Sequence, residues 1–286
     1  EKGDFLVELK ISGPKGTKKI SKSVGEAELY SLPQWMALCV HEYLGAPLSP
    51  SQQIFLESPE VRSAPSLYEL VELERDYWNG RRKEELWRRF LEANPDCTFA
   101  YYRLFTIAKN EESDEESLTF LQVPMSANPE NTFLKFMEAD WYLRNKQYQD
   151  ASRLYLELLK QDFGNEVLFE KLGKSLLALN LGASAESLHT LWMQKEPDSY
   201  IPLLTMGKFY VDYAWNARGI GWGSTVTKEM REKFRERLLL SEQFLTKAHE
   251  ANPQDPRMAA ELITIARGLG YEREQMEKWF QAAVKI

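Results

Sequence analysis

Histidine is the side chain best suited to acid–base or metal chemistry near neutral pH, and this sequence contains three. His41 is followed by Glu42, as in the His-Glu-x-x-His helix of zinc proteases, but Gly45 stands where the second histidine is needed. His189 falls on the apolar stripe of a predicted helix, where a neutral packed imidazole is the expected role. His249 lies at a predicted helix end. No histidine is therefore predicted to be a catalytic base or a metal ligand.

Other catalytic and cofactor motifs are also missing from the sequence. No serine has the flanking glycines of a nucleophile elbow, and P-loop, paired-cysteine and acidic metal-cluster motifs do not occur. Cys39 and Cys97 lie in apolar helical contexts, which predicts two buried thiols rather than a disulfide or a metal site. We therefore predict no catalytic residue, no metal, no cofactor, and a protein that is not an enzyme.

One glycine-rich segment has a composition that suits binding. Gly219, Gly221 and Gly223 alternate just before a predicted helix that has Glu229 in its first turn. Glycines before the amino end of a helix can cradle an anion, but this spacing matches neither the dinucleotide-binding nor the Walker pattern. Three roles stay open: phosphate binding, a bent loop with only a structural role, and recognition of a protein.

An arginine between two tryptophans stands at the centre of this segment. A guanidinium offers five donors in a planar fork, which suits carboxylates and backbone carbonyls, and an indole ring can stack on it. The alternative is that Arg218 ties the segment to the rest of the chain, through Asp212 or Glu229. The candidate partner-binding residues of the segment are Trp215, Asn216, Arg218 and Trp222.

Helices must position these residues, because apolar side chains recur at the helical period along most of the chain. Val167 to Pro197 predicts two antiparallel helices, with Gly173 and Ala185 small where the helices are expected to approach closely. Beyond Ala185 the next small position of the second helix is Ser241, which lies 22 residues further on than a 34-residue spacing predicts. Steps of 34 residues from Gly173 reach Ala139 and Gly207, and the same steps back from Ala185 reach Ala151 and Ser117.

This pattern resembles the tetratricopeptide repeat, a pair of helices that stacks on the next pair. The resemblance implies a mainly α fold, an α-α solenoid of helix pairs. The predicted repeat domain covers 63–286, with an insertion at about 213–228. Full repeats are predicted at about 98–131, 132–165, 166–199 and 200–254.

Residues 1–62 match no repeat and are predicted to form a small N-terminal α/β appendage. Alternating apolar residues predict a strand from Phe5 to Ser12 and a second strand from Lys18 to Val24. Helices are predicted from Ser31 to Tyr43 and over Gln52 to Glu57.

The resemblance also implies a binding face, because the first helix of each repeat lines the exposed groove in this family. Lys174 and Lys208 stand one repeat apart, so they are expected to stack along the groove and to favour an acidic segment. The family's carboxylate-clamp pattern is not matched, so recognition of a terminal carboxylate is not expected. The groove candidates are Tyr102, Phe136, Asp140, Lys174 and Lys208.

From about Trp215 onward, the sequence also resembles an uncharacterised bacterial domain family. That family pairs similar helices with a Trp-x-Ala-Arg-Gly segment. The matching strings here are WNARGIGW, NPQDP and MEKWF. This second resemblance implies a bacterial origin and no known activity.

Composition restricts the partners. The chain has 36 basic and 43 acidic residues and a formal charge of −7, so nucleic acid is not an expected partner. No apolar run approaches the roughly 20 residues of a membrane span. We expect a cytoplasmic protein. The alternative is a periplasmic protein, if a signal segment has been removed before Glu1.

These observations predict a non-catalytic protein-binding module whose protein partner is unidentified. One specific form is a bacterial immunity or adaptor protein that binds a toxin or an effector. The alternative is a small-ligand-binding protein or an enzyme that uses the glycine-rich insertion.

Overall fold

A computed structural model gives the conformation of most of the chain, which forms two compact units, Glu1–Glu138 and Ala139–Ile286. The described residues are 5–13, 16–25, 63–110, 114–127 and 129–284, together with 32, 35, 36, 39 and 61.

The first unit begins with an antiparallel β-hairpin. Strand β1 spans Phe5–Gly13 and strand β2 spans Gly16–Val24, which confirms the two predicted strands. A two-stranded ribbon is marginally stable alone, and this one packs on other residues of its unit. Val24 is buried, and the Lys22 ammonium lies 5.9 Å from the ring centre of Trp35.

Helices make up the rest of the described first unit. They are α1 (Ala64–Trp78), α2 (Glu84–Ala93), α3 (Thr98–Asn110), α4 (Asp114–Ala127) and α5 (Thr132–Arg144), the last of which continues into the second unit. Ser63 caps α1, because its hydroxyl accepts a hydrogen bond from the Ser66 amide at 3.2 Å. Trp87 and Phe90 are fully buried on the inner side of α2.

The second unit continues the series of helix pairs. Its further helices are α6 (Tyr148–Gln161), α7 (Glu166–Ala178), α8 (Gly182–Lys195), α9 (Ile201–Arg218), α10 (Lys228–Ala251), α11 (Pro256–Leu269) and α12 (Arg273–Val284). Helices α9 to α12 share a core of fully buried apolar side chains. This core includes Leu204, Leu238, Leu245, Leu262 and Ile265.

The 34-residue period is confirmed by the helix starts. Helices α3, α5 and α7 begin at 98, 132 and 166, and α4, α6 and α8 begin at 114, 148 and 182. The small residues predicted from this period are all buried, namely Ser117, Ala139, Ala151, Ala185, Gly207 and Ser241. The described residues therefore form tetratricopeptide-like helix pairs of the α-solenoid class, with a small N-terminal sheet.

The close contact at Gly173 differs from the one expected. A side-chain carbon added there would lie 3.6 Å from Phe209 and 3.8 Å from His189, and Ala185 is not within 4 Å. The reason is that the His189 ring, one turn along α8 from Ala185, fills the space opposite the glycine. The tighter position is Gly207, where an added carbon would lie 2.5 Å from Cγ of Leu245.

The predicted insertion at about 213–228 covers the end of α9, a loop and the first residue of α10. Residues 213–218 are helical, and Gly219 ends α9 with a φ of +73°, which favours glycine. A short 3-10 turn follows at Gly223–Thr225. Thr227 then caps α10, because its hydroxyl accepts a hydrogen bond from the Met230 amide at 3.2 Å.

Part of the N-terminal prediction lies outside the described residues. The predicted helix from Ser31 is described only at isolated positions, and the one over Gln52 to Glu57 is outside altogether. Cys39 and Cys97 are buried free thiols, as expected. None of the helices described here is long and apolar enough to cross a membrane.

Candidate functional site

Charged side chains line the first helices of successive pairs in the second unit. We call this surface the A-helix face; it is formed by Asp140, Glu170, Lys174, Lys208, Asp212 and Glu261. The Asp140 carboxylate accepts a hydrogen bond of 2.6 Å from the Tyr155 hydroxyl and pairs with the Lys171 ammonium at 3.0 Å. Asp140 therefore joins α5 to both α6 and α7.

Glu170 lies between the two lysines that were predicted to stack. It accepts hydrogen bonds of 2.8 Å from Lys174 and 2.6 Å from Lys208. Burial disfavours the carboxylate, but these two lysines outweigh burial and lower the pKa of Glu170 to about 2. Lys174 and Lys208 are thus neighbours, and their positive charges are partly balanced within the protein.

A second carboxylate extends the ion pairs to the next first helix. Glu166 pairs with the Arg257 guanidinium of α11 at 2.7 Å and lies 3.8 Å from the Lys208 ammonium. Arg257 in turn contacts Asp255, the capping residue of α11. Ion pairs therefore connect α7, α9 and α11 across the A-helix face.

Two other carboxyl groups of this face have no such partner. Burial raises the pKa of Asp212 and that of Glu261, and the nearby lysines reduce this effect without cancelling it. Neither side chain accepts a hydrogen bond or forms an ion pair with any residue that the structure describes. Asp212 and Glu261 are therefore carboxyl groups whose ionisation costs free energy in the folded protein.

His189 is packed rather than exposed. Its ring lies between Phe169 and Phe209, with centroid distances of 5.2 and 5.0 Å, and the side chain is 2% exposed. Its Nδ1 is 2.8 Å from the Ala185 carbonyl oxygen, and burial lowers the pKa of the imidazole to about 4. The cleft beside Gly173 has a volume of about 10 Å³. This is the neutral packed histidine expected from the sequence.

Tyr102 and Phe136 belong to the first unit, whereas the A-helix face as defined above consists of residues of the second unit. Tyr102 packs edge-on against Phe133 at a centroid distance of 5.4 Å. Its neighbour Arg103, which was not singled out from the sequence, is buried. Both ends of the Arg103 guanidinium fork contact Glu74, at 2.5 and 2.6 Å. The guanidinium also lies within 5.5 Å of the ring centres of Tyr77, Trp78, Phe99 and Tyr102.

Arg218 contacts its own loop. Its guanidinium donates to the carbonyl oxygens of Gly219 and Gly221, at 3.2 and 3.5 Å, and lies 5.4 Å from the ring centre of Trp215. Neither predicted acidic partner pairs with Arg218: Glu229 pairs with Lys233 at 2.7 Å, and Asp212 makes no ion pair with a described residue. Arg218 therefore stabilises the bend that follows α9 through neutral backbone acceptors.

The other candidates of the insertion have different environments. Trp215 packs against Phe234 at a centroid distance of 5.0 Å. Asn216 Nδ2 is 3.5 Å from the Leu177 carbonyl oxygen, so it faces α7. Trp222 is 86% exposed, and its neighbour Ile220 is fully exposed. The structure thus brings Trp215 and Arg218 together and leaves Trp222 on the surface; their role in partner binding stays a prediction.

No family model matches the chain. No curated protein matches it either. The assignment of the residues after Trp215 to an uncharacterised bacterial domain family therefore stays a prediction.

Several solved structures are similar to this chain. PilF of Pseudomonas aeruginosa aligns over 76% of this chain and 87% of its own, at 16% identity and a TM-score of 0.47. PilW, a type IV pilus biogenesis factor, aligns over 76% and 91%, at 9% identity and a TM-score of 0.49. A tetratricopeptide repeat protein from Parabacteroides merdae aligns over 76% and 98%, at 13% identity and a TM-score of 0.45. At such values these proteins indicate nothing about the partner.

Proposed function

We propose that this chain is a non-catalytic protein-binding scaffold whose partner lies on the A-helix face. The arrangement of charges on that face carries the proposal. Lys208 of α9 and Glu170 of α7 bridge neighbouring first helices. The Lys174 side chain is 46% exposed and that of Lys208 is 26% exposed, so a polypeptide laid across the helices can reach them.

Asp212 and Glu261 determine the chemistry that we propose for the partner. Burying a carboxylate without a partner is costly, and a cation placed beside it offsets that cost. Glu170 already balances Lys174 and Lys208, which weakens the expected preference for an acidic segment. We therefore propose a segment that presents a lysine or arginine side chain to Asp212 and Glu261.

The packing of His189 supports a role without catalysis. His189 is 2% exposed, and the cleft beside it, at about 10 Å³, has room for no more than a water-sized molecule. A long polar face with paired charges suits binding of a polypeptide better than conversion of a substrate.

A bacterial immunity or adaptor protein that binds a toxin or an effector is the specific form of this proposal. It depends on the resemblance of the residues after Trp215 to a bacterial domain family. A captured partner that is toxic when expressed alone, and harmless when this chain is co-expressed, supports it. A partner that is harmless when expressed alone contradicts it.

Selection of phage-displayed peptides on the immobilised protein tests the proposed face. We expect enrichment of peptides that contain lysine or arginine. The enriched peptides should bind an Asp212→Asn/Glu261→Gln variant at least about tenfold more weakly, because two charge-assisted contacts are removed. Fluorescence polarisation measures the affinities.

Glu157→Gln is the matched control. Glu157 is a partly exposed carboxylate of the second helix α6, and among the described residues it pairs with Arg153 of its own helix alone, at 3.2 Å. This variant should bind the selected peptides like the parent. Equal affinity of the Asp212→Asn/Glu261→Gln variant, with circular dichroism showing that both variants are folded, would exclude the A-helix face as the binding site.

A further inference from the structure

A concave site that shares no lining residue with the A-helix face lies where the loop after α9 meets α10 and α11. The cavity has a volume of about 300 Å³. It has apolar walls from Val226, Phe234 and Leu269, and a backbone segment at Gly223. An added side-chain carbon at Gly223 would meet nothing within 4 Å, so that side of the cavity is open.

Three arginines line this one cavity: Arg218, Arg231 and Arg235. The Arg218 guanidinium donates to backbone carbonyl oxygens only. The side chains of Arg231 and Arg235 form no ion pair or hydrogen bond with any residue in the described part of the chain. Three guanidinium groups around one space repel one another unless an anion lies between them. The chain as a whole is acidic, with a formal charge of −7, so this cluster does not follow from a basic composition.

We infer that this cavity binds a small organic molecule that carries a phosphate monoester on an apolar body. Guanidinium forks match phosphate oxygens and form charge-assisted hydrogen bonds with them. Three cations match a dianion better than the single charge of a carboxylate. The rings and alkyl groups of Phe234, Leu269 and Val226 can cover the apolar part of the ligand.

The size of the cavity indicates the size of the ligand. Pockets for small molecules have volumes of about 300–1,000 Å³, and this cavity of about 300 Å³ is at the lower end. A single aromatic ring with one phosphate group fits within that volume. The site shares no lining residue with the A-helix face, so this inference does not depend on the proposed protein binding.

Isothermal titration calorimetry at low ionic strength, with phenyl phosphate as the probe, tests the inference. We expect saturable binding at one site per chain. Inorganic phosphate should bind more weakly, because it leaves the apolar walls uncovered, and phenol should give no saturable binding, because it lacks the anion. Absence of saturable phenyl phosphate binding would overturn the proposal.

An Arg231→Gln/Arg235→Gln variant locates the site. Both side chains are exposed and form no ion pair or hydrogen bond with a described residue, so the variant should unfold close to the parental temperature. Phenyl phosphate should bind it at least about tenfold more weakly, since each lost contact is charge-assisted. The single Arg235→Gln variant should show an intermediate loss. Arg218 is left unchanged because it also holds the loop.

Arg267→Gln is the matched control, because Arg267 is an exposed arginine of α11 that does not line the cavity. It should bind phenyl phosphate with the parental affinity. An equal loss in the Arg267→Gln variant would show general attraction between charges and would overturn the assignment. Parental affinity in the Arg231→Gln/Arg235→Gln variant would overturn it as well.

Discussion

The Ser241 hydroxyl donates a hydrogen bond of 2.7 Å to the carbonyl oxygen of Gly207, and this bond joins α10 to α9 in the buried core. Both residues occupy small positions of the 34-residue register. The helices approach so closely that Leu245, one turn beyond Ser241, fills the space over the glycine. The 22 residues that this repeat carries beyond the 34-residue period therefore leave the packing of the helix pair intact.

We predict opposite effects on stability for two glycine-to-alanine substitutions, one in α7 and one in α9. In Gly207→Ala the new carbon would lie 2.5 Å from Cγ of the fully buried Leu245, so the variant should lose about 1–3 kcal/mol of unfolding free energy. In Gly173→Ala the nearest atoms are 3.6 and 3.8 Å away. That variant should gain up to about 1 kcal/mol, because alanine favours the helix.

Urea denaturation of the parent and of both variants measures these differences. Circular dichroism at 222 nm is a suitable signal because helices dominate the described residues. Equal destabilisation of the two variants would contradict the geometry, since it would mean that Gly173 is as closely packed as Gly207.

Much of the fold follows from local sequence, but the partners of single side chains do not. The small residues Gly207 and Ser241 are found from the register because every helix pair needs a close approach at the same position. Glu170 stands four residues before Lys174, a spacing that favours an ion pair on a helix, so this signal is present in the sequence. Arg103 was missed because its partner, Glu74, is 29 residues away on another helix.

The arginine cavity illustrates the same limit. Arg231 and Arg235 stand four residues apart, so the sequence places them on one side of a helix. Their convergence with Arg218 depends on the loop that follows Gly219. No periodic pattern describes that bend, because it is set by one glycine at positive φ and by hydrogen bonds to two backbone carbonyl groups.

We predict that the ion pair between Glu74 and Arg103 stabilises the first unit. The Glu74 side chain is 22% exposed and that of Arg103 is 9% exposed, and two guanidinium nitrogens donate to the carboxylate. Glu74→Ala leaves a buried guanidinium without its carboxylate, and breaking a buried pair costs about 3–5 kcal/mol. Thermal unfolding followed by circular dichroism should show a clear drop in the transition temperature.

Glu72→Ala is the control for this substitution. Glu72 is on the same helix and pairs with Arg75, but both side chains are more than half exposed. An exposed pair contributes about 0–1 kcal/mol, so this variant should unfold close to the parent. A Glu74→Ala variant as stable as Glu72→Ala would show that water reaches the Arg103 guanidinium.

Acid should destabilise the protein through His189. Burial lowers the pKa of His189 to about 4 in the folded protein, against about 6.5 in an unfolded chain. The unfolded state therefore binds more protons between these values, and the free energy of unfolding falls as the pH decreases from about 6.5 to about 4. This difference between the folded and unfolded pKa of His189 corresponds to about 3 kcal/mol of unfolding free energy.

The comparison with His189→Phe isolates this contribution. The phenyl ring keeps the packing between Phe169 and Phe209 and removes the titration, so the variant should lose less stability over the same pH range. Asp212 and Glu261 act in the opposite direction, because their raised pKa values favour proton uptake by the folded state. The parent and the His189→Phe variant share these two groups, so their effect cancels in the comparison. Urea midpoints that fall in parallel with pH would show that His189 is not the group responsible.

Arg218 should contribute both to stability and to anion binding, and Arg231 only to anion binding. The Arg218 acceptors are neutral carbonyl groups, and the side chain is only partly buried, so Arg218→Ala should cost about 1 kcal/mol of unfolding free energy. Arg231→Ala should leave that free energy unchanged, because its guanidinium has no described partner.

Both variants should bind phenyl phosphate more weakly. Urea denaturation and titration calorimetry separate the two effects. A loss of about 3 kcal/mol or more in Arg218→Ala would instead indicate a carboxylate partner, as expected for a broken buried ion pair.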